Sequence, residues 1–181
     1  MKVTPLAIPD VLVIEPRVFG DDRGYLFESF NERTLRDTAG VSANFVQDNH
    51  SRSVRHTLRG LHYQIRQPQV KLLRVVAGEI LDVVVDIRRS SPTFGKWVSV
   101  RLSADNKRMI WIPTGFAHGF TVLSDAAECL YKVSDYWAPE HERTILWSDP
   151  DLAIDWELGS DPILAPKDKA GLRFKEAEVF E

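Results

Sequence analysis

Apolar and polar residues alternate with a period of two through the middle of the chain. In Ile80–Ile87, Leu81, Val83, Val85 and Ile87 fall on one face, and Asp82, Val84 and Asp86 on the other. Leu72–Val76, Trp97–Leu102, Met109–Ile112, Phe120–Leu123 and Cys129–Tyr136 are further short runs rich in Val, Ile, Leu and aromatic residues. Turn signals separate them: Gly20–Gly24, Ala77–Glu79, Ser90–Gly95, Ala104–Asn106, Pro113–Gly115 and Ser124–Asp125. Such alternation, broken by turns every ~8–12 residues, predicts an antiparallel sandwich or barrel. One segment reads as a helix. Asn31–Asp37 opens on a good N-cap residue, and Gly40 is a natural stop. The last ~35 residues are mixed in pattern and are expected to form short helices or a wrapping arm.

Composition narrows the class. With 181 residues, 44% apolar and 27% charged, the chain fits one folded domain with a core of its own. A net charge of −3 offers no basic surface for nucleic acid. The single cysteine, Cys129, excludes an internal disulfide and a zinc–thiolate site, and points to a reducing, cytoplasmic setting. The first ten residues lack the apolar stretch of a signal peptide, and no run is long enough to span a bilayer.

Candidate chemistry centres on histidine. Of five histidines, His62 and His118 sit in apolar, strand-like surroundings beside glycine. Two metal ligands on one strand face need a spacing of two residues. His62 has Gln64 at that spacing, a weak ligand, and His118 has Phe116 and Phe120. A catalytic metal is therefore not expected. A buried carboxylate would orient either imidazole as a base, but spacing alone does not choose it. Lys71, Lys132, Tyr63 and Tyr131 fall within or beside the strand-like runs, a pattern that by itself favours wall or surface positions. No glycine-rich dinucleotide loop, phosphate-binding loop or serine-nucleophile elbow occurs.

Taken together, seven segments resemble the dTDP-4-dehydrorhamnose 3,5-epimerase family in order along the chain: Asp22–Phe30, Phe45–Ser51, Leu58–Gln64, Gly78–Arg88, Ile112–Phe120, Leu130–Val133 and Lys167–Asp168. The resemblance implies an all-β, cupin-type jelly-roll barrel with a few short helices. Its core is expected over about 45–140, with N-terminal strands and a C-terminal arm packed on it or on a partner subunit. It implies a cofactor-independent epimerase that inverts C3 and C5 of a dTDP-linked 4-keto-6-deoxy sugar, working as a homodimer whose sites are completed across subunits. By the same resemblance His62 is the base, Asp168 its partner, Tyr131 the opposite-face acid, and Lys71 the cation beside the developing oxyanion. Arg23, Glu28, Gln47, Asp48, Asn49, Arg59, His118, Trp137, Glu142 and Lys167 are implied to hold the substrate. Three other readings stay open from the sequence: a C3-only epimerase, a metal-dependent cupin enzyme, and a nucleotide-sugar binding protein without catalysis.

Overall fold

A computed structural model describes residues 1–181. The strands are β1 (Lys2–Pro5), β2 (Leu12–Glu15), β3 (Val18–Asp21), β4 (Gly24–Phe27), β5 (Gln47–Val54), β6 (Leu58–Gln64), β7 (Lys71–Ala77), β8 (Glu79–Asp86), β9 (Trp97–Ser103), β10 (Met109–Ile112), β11 (Phe116–Val122), β12 (Ala126–Val133) and β13 (Glu142–Thr144). Helix α1 spans Glu32–Ala39 and α2 spans Pro166–Lys169. All named strand pairs are antiparallel. One sheet runs β1-β2-β10-β7-β12-β5, a second runs β13-β6-β11-β8-β9, and β3 and β4 form a separate hairpin. This is the expected all-β jelly-roll with few short helices.

The alternation in β8 is what joins the layers. Ile80 and Val84 face the space between the sheets, where they meet Leu73, Ile110, Phe116, Phe120 and Cys129. Leu81, Val83, Val85 and Ile87 face the other way, onto the C-terminal segment through Leu152 and Trp156. Strands with apolar residues on both faces must be covered on both. The outer face of the six-stranded sheet is capped by α1, whose Leu35 packs on Leu12, Leu72 and Trp111. Asn31 caps that helix by accepting from Thr34 N (3.0 Å), and Gly40 ends it at φ 67°. The N-terminal strands do more than lean on the core, because β2 pairs with β10 and extends the sheet.

Two strand boundaries differ from the sequence expectation. β12 ends at Val133, not Tyr136. Ser134 Oγ accepts from Val70 N, and Gln69 Nε2 donates to Asp135 O, so polar bonds draw the chain out of the sheet and leave Tyr136 and Trp137 exposed. β11 begins at Phe116, earlier than Phe120, which places His118 on a strand. No helix is long and apolar enough to cross a membrane.

Candidate active site

A cavity of about 340 Å³ lies between the two sheets. The five-stranded sheet contributes Arg59 and His62 from β6, His118 from β11 and Glu142 from β13. The six-stranded sheet contributes Lys71 from β7, Tyr131 from β12, and Gln47, Asn49 and Ser51 from β5. Helix α2 adds Lys167 and Asp168, and Trp137 stands at the edge. Eleven of the fourteen sequence-selected residues thus line one site, and they come from both sheets and the C-terminal arm.

His62 sits two residues after a close approach of β6 to β11 at Gly60 and Gly119. His62 and His118 are direct cross-strand partners, and the register shifts between His118 and Phe120. Glycine permits this approach. A Cβ on Gly60 would stand 2.5 Å from Gly119 Cα and 2.9 Å from His118 O, and Gly60 has φ +131°. Gly60→Ala is therefore expected to cost about 3 kcal/mol, from backbone strain plus overpacking, and to lower Tm by several degrees in a thermal melt.

Each of the two histidines is held by a sealed carboxylate. His62 Nε2 bonds Asp168 Oδ1 at 2.5 Å, and His118 Nε2 bonds Asp82 Oδ2 at 2.8 Å. Asp168 is 1% exposed and Asp82 is 0% exposed. An ionised carboxylate only accepts, so each Nε2 carries the hydrogen and each Nδ1 keeps its lone pair. Asp168 reaches His62 because the segment around Leu172 bonds to β13: Leu172 N donates to Thr144 O, and Leu146 N donates to Leu172 O. Thr144 is in turn the register partner of His62.

Burial lowers the His62 pKa from its ordinary value. The Asp168 bond opposes that drop, and the Lys167 and Lys71 charges reinforce it. The ring is thus neutral, and basic, at neutral pH. Burial also pulls Lys71 down to about 8, against the attraction of Asp82 and Glu142. Burial raises the Tyr131 hydroxyl above its ordinary value, so it stays protonated. The arrangement brings a neutral imidazole from one sheet, a protonated phenol from the other and an ammonium into the same cavity.

Other placements follow from strand parity. Gln47, Asn49, Ser51 and Ser53 form the inward face of β5, and Ser53 Oγ accepts from Arg59 Nε (2.9 Å). Asp48 points the opposite way, outside the cavity, where it accepts from Lys132 Nζ at 2.9 Å. Glu142 accepts from Lys167 Nζ at 2.7 Å. Trp137 is 60% exposed, and its backbone N–H donates to Gln47 Oε1. Arg23 and Glu28 stand away from their own chain's cavity. Arg23 pairs with Asp21 on the exposed β3–β4 hairpin, and Glu28 accepts from Asn31 Nδ2. Gln64 is occupied structurally: its Oε1 accepts from Ala138 N and its Nε2 donates to Gln67 O. Sequence reading missed Asp82 as the partner of His118. The one signal available was a carboxylate on an inward-facing strand position, which a core does not tolerate unpaired.

Known proteins resemble this chain over nearly its whole length. A family model described as dTDP-4-dehydrorhamnose 3,5-epimerase matches residues 5–176. The chain is 63% identical over 180 residues to the dTDP-4-dehydrorhamnose 3,5-epimerase of Pseudomonas aeruginosa, covering 99% of each chain. It is 54% identical over 181 residues to the enzyme of the same name from Shigella flexneri, again covering 99% of each. Among solved structures it is similar to a dTDP-6-deoxy-D-glucose-3,5-epimerase from Legionella pneumophila Philadelphia 1, determined in complex with dTDP-4-keto-L-rhamnose. That similarity has a TM-score of 0.95 and 50% identity, and covers 98% of this chain and 94% of that one.

Proposed function

The chain belongs to the dTDP-4-dehydrorhamnose 3,5-epimerase family, and from that premise we propose that it inverts C3 and C5 of dTDP-4-dehydro-6-deoxy-D-glucose to give dTDP-4-dehydro-L-rhamnose, in the cytoplasmic synthesis of dTDP-rhamnose. The observation that carries this reading is the His62–Asp168 pair on one side of the cavity with Tyr131 on the other.

A proton on a carbon beside a ketone is weakly acidic, because the carbanion is delocalised onto oxygen. His62 Nδ1 takes the proton from C3 or C5, and the C–H electrons move to form the enolate at the C4 oxygen. The resulting imidazolium is stabilised by Asp168 across its Nε2–H bond. The Lys71 ammonium, itself drawn out of water by burial, stabilises the C4 oxyanion. Tyr131 delivers its hydroxyl proton to the opposite face of the carbon, which inverts it. The tyrosinate then regains a proton from solvent, and His62 releases its own.

Arg59 suits the diphosphate, since a guanidinium fork matches phosphate oxygens. Gln47, Asn49, Glu142 and Lys167 position sugar and nucleoside hydroxyls, and Trp137 offers an indole face to the thymine. Arg23, Glu28 and Asp48 require a second subunit. The β3–β4 hairpin exposes Phe19 (51%), Tyr25 (63%) and Leu26 (69%). An isolated hairpin is marginal, and exposed apolar clusters mark interfaces. In a homodimer the hairpin of one subunit would complete the pocket of the other. Leu26→Glu is expected to give monomers in sedimentation and to raise KM well above that of the native protein. A monomer with native KM would refute the shared site.

The reaction itself is tested by NMR of the product formed in deuterated water. Deuterium at both C3 and C5 is expected, while deuterium at C3 alone would identify a single-site epimerase. The pH dependence of kcat/KM reports the free enzyme. Falling pH protonates His62 Nδ1, so the acid limb is expected below the ordinary histidine value. Rising pH removes the Lys71 charge, so the alkaline limb is expected near 8. Lys71→Arg should carry that limb to higher pH, because a guanidinium does not deprotonate in this range.

A further inference from the structure

His62 is oriented by a carboxylate that the barrel itself does not carry. Asp168 belongs to the C-terminal arm, on a helix of only four residues, yet it stands 2.5 Å from the His62 ring on β6. A one-turn helix fixes no position by itself. Backbone bonds tether the arm on both sides of α2. Before it, Ile163 N donates to His56 O, and Leu58 N donates to Ile163 O. After it, Leu172 forms a bridge with Ile145 and bonds to Thr144 O and Leu146 N. Every residue offers the same backbone groups, so such bonds do not choose a register. A slip of one residue would carry Asp168 about 3.3 Å along the chain, away from the ring.

Two residues make the choice. Asp149 is 2% exposed and opens the turn Asp149-Pro150-Asp151-Leu152, with Asp and Pro at positions where a turn favours them. Its Oδ1 accepts from Asp151 N (2.9 Å) and Leu152 N (3.1 Å), which closes the turn. Its Oδ2 is directed away from the turn and accepts from Phe174 N at 2.9 Å, 25 positions further on. The Phe174 ring is seated on Phe94, with centroids 5.1 Å apart. Tyr63 and Arg143 hold the arm only further on, at Glu178. Gly171 supplies the second constraint. A Cβ there would stand 2.7 Å from Leu146 N and 2.9 Å from Ile145 C, so the arm lies flush on the backbone that follows β13.

Resting on the epimerase reading above, we infer that Asp149 and Gly171 are positioning residues for the reaction: together they fix the register of the C-terminal arm, and through it the contact of Asp168 with His62. Neither lines the cavity. Both act at a distance in sequence from the pair they serve, Asp149 through Phe174 N and Gly171 through its approach to Ile145 and Leu146. A displaced Asp168 no longer orients the imidazole or supports the imidazolium, and misplacement of this kind is felt in the chemical step. Lys167 shares the same helical turn, so a rise in KM is expected with or without Asp168, and only kcat isolates the effect on the pair.

Asp149→Asn tests this selectively on the full-length protein. The Asn oxygen keeps both turn bonds, while its amide then sets a donor against the Phe174 N–H. The variant should fold and lose only the tether to the arm. With the dTDP-4-keto-6-deoxy sugar, kcat should fall about tenfold. Gly171→Ala, which lifts the arm without touching the carboxylate, should act in the same direction. In an Asp168→Asn background each change should alter kcat by no more than about twofold, because the contact it serves is already gone. A loss of folded protein lowers kcat by the same factor in both backgrounds. Equal losses in the two backgrounds, or native kcat in both single variants, would therefore overturn the proposal. Without substrate, ¹⁵N NMR of labelled histidine rings reads the same link. The His62 signals in Asp149→Asn should move toward their positions in Asp168→Asn, and signals left at the native positions would count against it. Absence of turnover in the native protein would instead sink the epimerase reading, and the ring signals would still decide whether Asp149 acts on the pair.

Discussion

His62→Ala is expected to abolish solvent deuterium uptake at C3 and C5 of dTDP-4-keto-6-deoxyglucose, with kcat falling about 10³-fold or more. A positioned general base contributes on the order of 10²–10⁴-fold. The neighbouring His118 is held by Asp82 in the same way but projects from β11, so it does not occupy the place of the lost ring. Tyr131 is held protonated by burial and is a poor base. Exchange is the right readout because it reports the first proton removal, before inversion. Asp168→Asn is the companion variant. It keeps the shape but removes the carboxylate that holds the Nε2–H tautomer and stabilises the imidazolium, so it should lose most of the same rate. Native-like exchange at both carbons in His62→Ala would remove the base assignment altogether.

Tyr131→Phe separates the two halves of the inversion. The variant is expected to keep His62-dependent exchange with solvent while epimerised product falls by about 10²-fold or more. The proton that leaves on the His62 side then returns from the same side, so deuterium enters with retained configuration. The fold should tolerate the change, since the tyrosine hydroxyl makes no hydrogen bond within the protein and its ring packs on the inter-sheet core. Product NMR reads both quantities in one spectrum: deuterium content gives exchange, and ring coupling constants give configuration. Equal loss of exchange and inversion would assign Tyr131 to the enolate oxygen, not to a separate proton delivery.

Several parts of the fold were legible in the sequence for physical reasons that act locally. Asn31 and Gly40 bracket α1 because cap chemistry needs only a side-chain oxygen and a left-handed residue at fixed offsets. β8 was legible because both of its faces meet covering layers, and its alternation marks which residues go to which. β5 was not. Its sequence Gln-Asp-Asn-His-Ser-Arg-Ser-Val has no apolar face, because its inward residues line a polar cavity and not the core. A different cause hid the end of β12, where apolar Tyr136 and Trp137 continue the pattern past the point where side-chain bonds pull the backbone away.

The sequence by itself determined an all-β chain, a single capped helix, one lone cysteine and, through seven ordered segments, membership of an epimerase family. Periodicity reports which face of an element is apolar, and that is a property of neighbours along the chain. Only the tertiary structure decided that His62 meets Asp168 across 106 positions and His118 meets Asp82 across 36. It also decided that Asp48 turns outward while Asn49 turns in. These follow from strand order and register, which are set by how whole sheets bury their faces against each other. The lowered pKa of His62 and the Lys71 pKa of about 8 come from that burial and from no residue's own chemistry.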